Sequence, residues 1–380
     1  MKVAVVGAGN VGLATTAALA WVGHEVTCVE ADPRRVELLN SGAVPFHEPH
    51  LPELLSLVRD RVRFTPSYEE ALAGSRVAFV CVGTPQLPDG SPDLSQLRAA
   101  ACSLGEHLNS EPLVVATKST APIGNGSWVA MLVRDAYRRR NGPFTPPFAV
   151  ASTPEFLREG SALHDALYPD RVVVGTDEPW ALEVLRELLD PIVNQTFETP
   201  PFLPRPPRAA PVPFVATDLV SAELVKYAAN AFLAVRVSFA NEVAELAERV
   251  GADVGAVLRG IGLDRRVGLH YLEPGVGWGG SCLGKDTAAL LSTAREYGLD
   301  LLLVEAARAV NDRQRERVVR KLLEELRVLK GKVVGLMGLA FKPHTDDLRD
   351  SPSLDLARRL VQRGAFVRGH DPVALPRARA

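Results

Sequence analysis

Lys2-Val-Ala-Val-Val-Gly7-Ala-Gly9-Asn10-Val11-Gly12 opens the chain, and the reading of these residues decides the fold. An apolar run of strand length, residues 2–6, meets three glycines spaced G-x-G-x-x-G, and a helical pattern follows to about Trp21. A second apolar run, Val26 to Val29, ends at Glu30 and completes a β-α-β opening. Without side chains at 7, 9 and 12 the backbone turns tightly. A pyrophosphate can then approach the first N–H groups of the helix, where the dipole favours negative charge. A carboxylate at Glu30 accepts hydrogen bonds from a ribose diol and repels a 2′-phosphate, so the segment reads as a site for NAD rather than NADP. A glycine turn with no ligand is the bland alternative, and Arg35 is open between adenosine, phosphate and solvent.

Further strand-like runs at 77–82, 113–116, 148–151 and 172–174 alternate with helical stretches near 93–108, 125–139 and 178–189. This alternation predicts an α/β fold whose first domain, residues 1–198, is a doubly wound parallel sheet. The segment Thr199 to Pro213 carries seven prolines in fifteen residues, so 199–214 is expected to be a linker or a surface insertion. Asp218 to Val250 contains neither Gly nor Pro and ends at Gly251. Such a helix extends about 50 Å, long enough to join two domains and to pair with its copy in a homodimer, although a buried scaffold helix reads the same way. Helical segments near 285–297 and 303–328 complete a central region, 215–328. Strand-like residues 332–336 and 365–368 flank a helical stretch at 352–363 and begin a second β-α-β unit in 329–380. The chain stops nine residues after Asp371. Two strands make a poor parallel sheet alone, so this last domain is expected to be cut short.

A chain of 380 residues holds two or three such domains, and 47% hydrophobic with 23% charged residues is a globular composition. A net charge of -2 leaves no basic excess for nucleic acid. No stretch of about 18 apolar residues suggests a membrane span. Four cysteines without a C-x-x-C pair suit a reducing cytoplasm. The eight histidines suggest no metal set; His47-Glu48-Pro49-His50 looks like a ligand cluster, but its proline denies the helical spacing and the stretch reads as a loop.

Chemistry concentrates elsewhere. Cys282 lies in Gly275-Val-Gly-Trp-Gly279-Gly-Ser-Cys282-Leu-Gly284-Lys285-Asp286, where five glycines imply close backbone approach or unusual torsions. A helix beginning near Lys285, and the Lys285 ammonium, would both favour a thiolate, so Cys282 reads as a nucleophile; a small apolar residue in a turn is the alternative. Cys28, Cys81 and Cys102 read as structural. Lys226 and Asn230 share a helix face with Glu223 and suit an oxyanion or sugar hydroxyl, or merely solvent. Thr153-Pro-Glu155-Phe156-Leu157-Arg-Glu159, Lys118-Ser-Thr120 and Gly83-Thr84 each follow a strand, at the sheet end where open α/β folds bind ligands.

Together the segments GAGNVGL at 7–13, VGTP at 82–85, KSTAP at 118–122, TPEFLREG at 153–160, PDRVVVG at 169–175, KYAANA at 226–231, GVGWGGSC at 275–282, KD at 285–286 and LAFKPHTDDLR at 339–349 resemble the UDP-glucose/GDP-mannose dehydrogenase family over nearly the whole chain. The 153–160 and 169–171 segments look most like its UDP-glucose branch. The resemblance implies an N-terminal Rossmann domain, a central helical dimerisation domain and a Rossmann-like nucleotide-sugar domain. It also implies oxidation of a C6 alcohol to a carboxylate in two hydride transfers to NAD, with UDP-glucose as the substrate.

By that likeness Cys282 adds to an aldehyde, Lys226 and Asn230 hold the oxyanion, and Asp286 activates water. Glu155 and Thr120 assist proton transfer, and Glu159 lies near the nicotinamide. Thr84, with Gly7, Gly9, Asn10, Val11, Gly12, Glu30 and Arg35, serves the cofactor. Phe156, Leu157, Gly279 and Lys342 line the sugar-nucleotide site, and Arg266 reaches the substrate of a partner subunit. The alternatives are a GDP-mannose enzyme, a truncated relative that binds without turnover, and a two-electron hydroxyacid dehydrogenase, which needs no Cys282.

Overall fold

Strand β1 (Lys2–Val6) has Val3 and Val5 in one apolar cluster and Ala4 and Val6 in another, because successive strand residues face opposite ways. Both faces of the sheet are therefore covered, as a continuous apolar strand requires. The computed structural model describes residues 1–87, 90–144, 146–207 and 211–379. After β1 come α1 (Asn10–Trp21), β2 (Glu25–Val29), α2 (Pro33–Asn40), α3 (Leu51–Leu57), β3 (Val62–Thr65), α4 (Tyr68–Leu72), β4 (Val77–Val80), α5 (Ser95–His107) and β5 (Leu113–Thr117). Next are α6 (Asn125–Asn141), β6 (Phe148–Ser152), α7 (Ala162–Leu167), β7 (Val172–Gly175), α8 (Pro179–Val193), β8 (Phe214–Thr217) and α9 (Leu219–Val250).

The sheet runs β3-β2-β1-β4-β5-β6-β7-β8, with β1 paired in parallel to β2 and β4 (Val3 opposite Val26 and Val77). The doubly wound expectation thus holds with one departure: β7 meets β6 antiparallel through the single pair Ser152 and Gly175, and β8 then pairs in parallel with β7. On one face pack Leu13, Leu19, Leu51, Leu163 and Leu185, on the other Leu97, Leu104, Val129 and Val133. Each such side chain contributes about 1.5–3 kcal/mol by leaving water.

The chain divides into two compact units, and their boundary falls inside α9, between Lys226 and Tyr227. The first unit therefore runs beyond the expected end at 198. The proline-rich stretch lies between α8 and β8 of one unit, and β8 escaped the reading because four residues after Pro213 carry little period-2 signal. Residues 208–210 of that stretch lie outside the described residues.

In the second unit α9 is followed by α10 (Val254–Gly262), α11 (Leu283–Glu296), α12 (Leu302–Leu326), β9 (Val333–Met337), α13 (Pro352–Gln362), β10 (Phe366–His370) and α14 (Leu375–Arg379). Helix α9 ends as expected: Gly251 takes φ +73°, and Ala252 N–H closes onto the Ala247 carbonyl at 2.9 Å. Strands β9 and β10 are parallel and pack with α13 around Val319, Leu356 and Leu360. Among the described residues no helix is long and apolar enough to cross a membrane, and no group of three His, Cys, Asp or Glu could hold a metal ion.

Candidate active site

The glycine turn of the first unit is dictated by contact. A Cβ on Gly12 would lie 1.8 Å from the Gly7 carbonyl oxygen, so α1 can start against β1 only with glycine there. A Cβ on Gly9 would meet nothing within 4 Å, and no side chain caps α1, whose first turn holds Asn10 and Val11. Open space thus stands at a helix N-terminus, as an anion requires. Glu30, at the end of β2, accepts from the backbone N–H of Ala8 at 3.2 Å and of Asp32 at 3.0 Å. Arg35, left open between three partners, lies with its Nη1 3.6 Å from Glu30.

Past β4, β5 and β6 the loops carry the remaining predicted residues of this unit. Thr84 donates its hydroxyl to the Thr120 carbonyl at 2.6 Å, tying two of them together. Glu155 and Lys226 form an ion pair at 2.8 Å with both side chains 6% exposed. Burial works against the Glu155 carboxylate, but the Lys226 charge and hydrogen bond, and the Leu157 N–H at 2.7 Å, hold its pKa below the usual carboxylate value. The Leu157 N–H is thereby committed to Glu155. Over the Phe156 ring stand Arg171, 3.6 Å from the centroid, and Lys226, at 5.6 Å. Glu159 is half-buried on the same loop.

Several contributors carry no role of their own in the sequence reading, although Lys118 and Glu223 stand in segments it singles out. Burial pushes the Lys118 ammonium below its ordinary pKa, and the Lys226 charge adds to that. Glu48, set aside inside a loop, is buried and accepts from Gly160 N–H at 2.7 Å and Ala162 N–H at 2.8 Å, fixing the end of the Glu155 loop. Glu223 accepts from Gly124 and Gly126 N–H at 2.6 and 2.8 Å and so anchors α9 to the start of α6. No spacing rule reaches contacts this distant in sequence; only the proline that excluded metal ligation marked the Glu48 segment. Cys28 and Cys81 are buried, with thiol pKa values pushed up to about 12, as structural cysteines should be.

In the second unit Cys282 occupies the N-cap position of α11, which starts at Leu283, two residues earlier than expected. The Ser281 hydroxyl lies 3.6 Å from its Sγ. Asp286, 1% exposed, accepts from Asn230 Nδ2 at 2.6 Å and from Lys285 Nζ at 2.7 Å. The Lys285 ammonium, expected to favour the thiolate, donates to its neighbouring carboxylate, the charge partner that a buried Asp requires.

The loop glycines answer to packing within the unit. A Cβ on Gly279 would lie 2.1 Å from the Asp350 carbonyl oxygen, and one on Gly280 would lie 2.5 Å from the Phe341 ring. Lys342 is partly buried, its Nζ 5.3 Å from the Phe341 centroid. Arg266 is 89% exposed and forks onto Asp264.

Residues 1–193 match the NAD binding domain of the UDP-glucose/GDP-mannose dehydrogenase family, 220–313 its central domain and 335–380 its UDP binding domain. The chain is 41% identical to UDP-glucose 6-dehydrogenase TuaD of Bacillus subtilis over 100% of its own length and 77% of that protein. A solved UDP-glucose dehydrogenase from the archaeon Pyrobaculum islandicum is similar with a TM-score of 0.89 and 40% identity, covering 100% of this chain and 83% of that one. A GDP-mannose dehydrogenase from Pseudomonas aeruginosa is similar with a TM-score of 0.62 and 31% identity, again covering 100% and 83%.

Proposed function

The chain belongs to the UDP-glucose/GDP-mannose dehydrogenase family, and from that premise we propose that it oxidises the C6 alcohol of UDP-glucose to the carboxylate with NAD. Likeness over the whole chain to UDP-glucose 6-dehydrogenases, and a TM-score of 0.89 against 0.62 for the GDP-mannose enzyme, support the choice of sugar nucleotide. The glycine turn fits the cofactor: Gly9 leaves room at the α1 N-terminus, and Glu30 is held to the same turn through Ala8. When bound, NAD accepts a hydride from the sugar C6 in each of two oxidations.

The remaining chemistry falls to side chains. Glu155, held as a carboxylate by Lys226, takes the alcohol proton through water, with Thr120 on the adjoining loop. Lys226 and Asn230, one turn apart on α9, donate to the oxygen that becomes negative. Cys282 Sγ adds to the aldehyde carbon as the oxygen takes up the thiol's proton; the thiohemiacetal would become a thioester by giving its carbon-bound hydrogen as a hydride to a second NAD and its hydroxyl proton to water. Asp286 orients the water that attacks the thioester, releasing the carboxylate and restoring the thiol. Glu159 stands toward the nicotinamide, and Phe156, Leu157, Gly279 and Lys342 serve the sugar nucleotide. The observation that carries this reading is the helix N-cap cysteine with a buried, hydrogen-bonded Asp one turn on, since a single two-electron oxidation needs neither.

The dimer reading is supported by α9, where Phe232, Phe239 and Leu246 are 61%, 50% and 62% exposed at intervals of seven residues, the repeat of a helix-pairing seam. Exposed Arg266 is then available to a partner's substrate. Four free cysteines fit a reducing compartment such as the cytoplasm.

One assay tests the reaction: purified protein with UDP-glucose and NAD should form two NADH per sugar, and Cys282→Ala should lose complete oxidation. One NADH per sugar, unchanged turnover in the variant, or turnover only with GDP-mannose would each reject it.

A further inference from the structure

Asn311 on α12 is 2% exposed, and its amide engages both backbone polar atoms of one residue. Its Oδ1 accepts from the Trp278 N–H at 2.7 Å, and its Nδ2 donates to the Trp278 carbonyl at 3.0 Å. The side chain thus does for Trp278 what a neighbouring strand would do, and the pairing fixes which end of the amide is oxygen. The fit is tight: a Cβ on Gly277, at φ +102°, would lie 2.7 Å from Asn311 Oδ1. The Trp278 ring is pinned independently, its indole N–H donating to the Ser238 hydroxyl at 3.1 Å.

Four residues after Trp278 comes Cys282, and two residues after that the Gly284 carbonyl accepts from Arg308 at 2.7 Å, again on α12. One helix therefore grips the cysteine turn on both sides, and between the grips lie Gly279, Gly280, Ser281, Cys282 itself and Leu283.

We propose that Asn311 is a positioning residue for Cys282: by clamping Trp278 it sets the path of residues 279–281 and keeps the cysteine at the N-cap of α11. The proposal rests on the reading of Cys282 as the nucleophile. Glycine-rich backbone has the most freedom to lose, so although Gly279 and Gly280 also pack against Asp350 and Phe341, loss of the clamp widens the paths open to the turn, and the thiol spends less time where the helix N-terminus stabilises a thiolate.

Full-length protein is treated with iodoacetamide from about pH 6 to about pH 10, and carboxamidomethylation of the Cys282 peptide is followed by mass spectrometry. Asn311→Ala removes both amide bonds to the Trp278 backbone, leaving Arg315 Nη2 on its carbonyl at 3.1 Å; Asn311→Ser, one atom shorter, keeps a polar group at the site. Arg313→Ala, at an exposed residue of the same helix paired with Glu242, is the control.

The expected result is a pH midpoint raised by about half a unit or more in Asn311→Ala and by less in Asn311→Ser, with kcat for UDP-glucose lowered about tenfold in the former and the control unchanged. A folded variant with wild-type midpoint and kcat overturns the proposal, as does a variant altered only in thermal stability. If neither variant melts cooperatively, Asn311 is a folding residue and the proposal is likewise overturned. Alkylation needs no sugar nucleotide, so this test stands even if the chain fails to oxidise UDP-glucose.

Discussion

Lys226 Nζ lies 2.8 Å from Glu155 Oε1, with both side chains withdrawn from water. The pair joins the loop after β6 to α9. Taking two charges out of water costs several kcal/mol each, and only their mutual attraction and added hydrogen bonds offset it, so neither partner tolerates loss of the other.

Lys226→Met is accordingly expected to destabilise the fold by about 3–5 kcal/mol, measured by urea unfolding at neutral pH, and Glu155→Gln combined with Lys226→Met to recover much of that while remaining inactive. The pH dependence carries a sign. In the native protein Glu155 has a lowered pKa, so its contribution is present above the ordinary carboxylate value and is lost as pH falls through the lowered one. In Lys226→Met burial, the largest effect, is opposed only by the Leu157 N–H and the Lys118 charge, so that pKa rises above its native position and stability relative to the native protein is lost as pH rises. The gap between variant and native protein should therefore widen from about pH 5 to about pH 8; a constant gap would show that Glu155 does not depend on Lys226 for its charge.

Gly9 and Gly12 should behave oppositely. Gly12→Ala places a Cβ 1.8 Å from a backbone oxygen and is expected to lower the melting temperature markedly. Gly9→Ala adds a methyl to open space, so the melting temperature should hardly change while the NAD KM rises about tenfold or more. Equal losses of stability would contradict this division.

Glu48→Ala leaves the buried N–H groups of Gly160 and Ala162 without their carboxylate acceptor, at a cost of about 1–3 kcal/mol. Because the clamped segment is the end of the Glu155 loop, proteolysis at residues 155–162 should become faster. Glu48→Gln, which keeps an acceptor oxygen, should show less of both effects, by calorimetry and timed digestion.

Phe239→Asp puts a charge in the middle of the exposed apolar stripe of α9 on which the proposed dimer rests. The native chain is expected to sediment as a dimer and the variant as a monomer; a dimer in both would remove α9 from the interface.

Much of this is legible in the amino-acid sequence alone. The apolar strand runs and the glycine turn are local signals, since period and spacing are properties of neighbouring residues, and they mark six of the strands of the first sheet, though not the antiparallel meeting of β7 with β6. Helix α9 was equally plain, because 32 residues without a glycine or proline have few other conformations open to them. Strands β3 and β8 carry weaker local signals, β3 being interrupted by Arg63 and β8 having Val215 and Ala216 exposed, and they owe their extended form to the neighbours they pair with.

Sequence by itself determined the dinucleotide turn, the cysteine loop and the long helix, since torsional preference and apolar periodicity act within a few residues. Tertiary structure alone decided the distant partners: Lys226 with Glu155, Glu48 with a loop 112 residues away, Asn311 with Trp278. A hydrogen bond or ion pair between distant residues costs chain entropy that packing elsewhere must offset, and no local pattern records where that packing brings two side chains together.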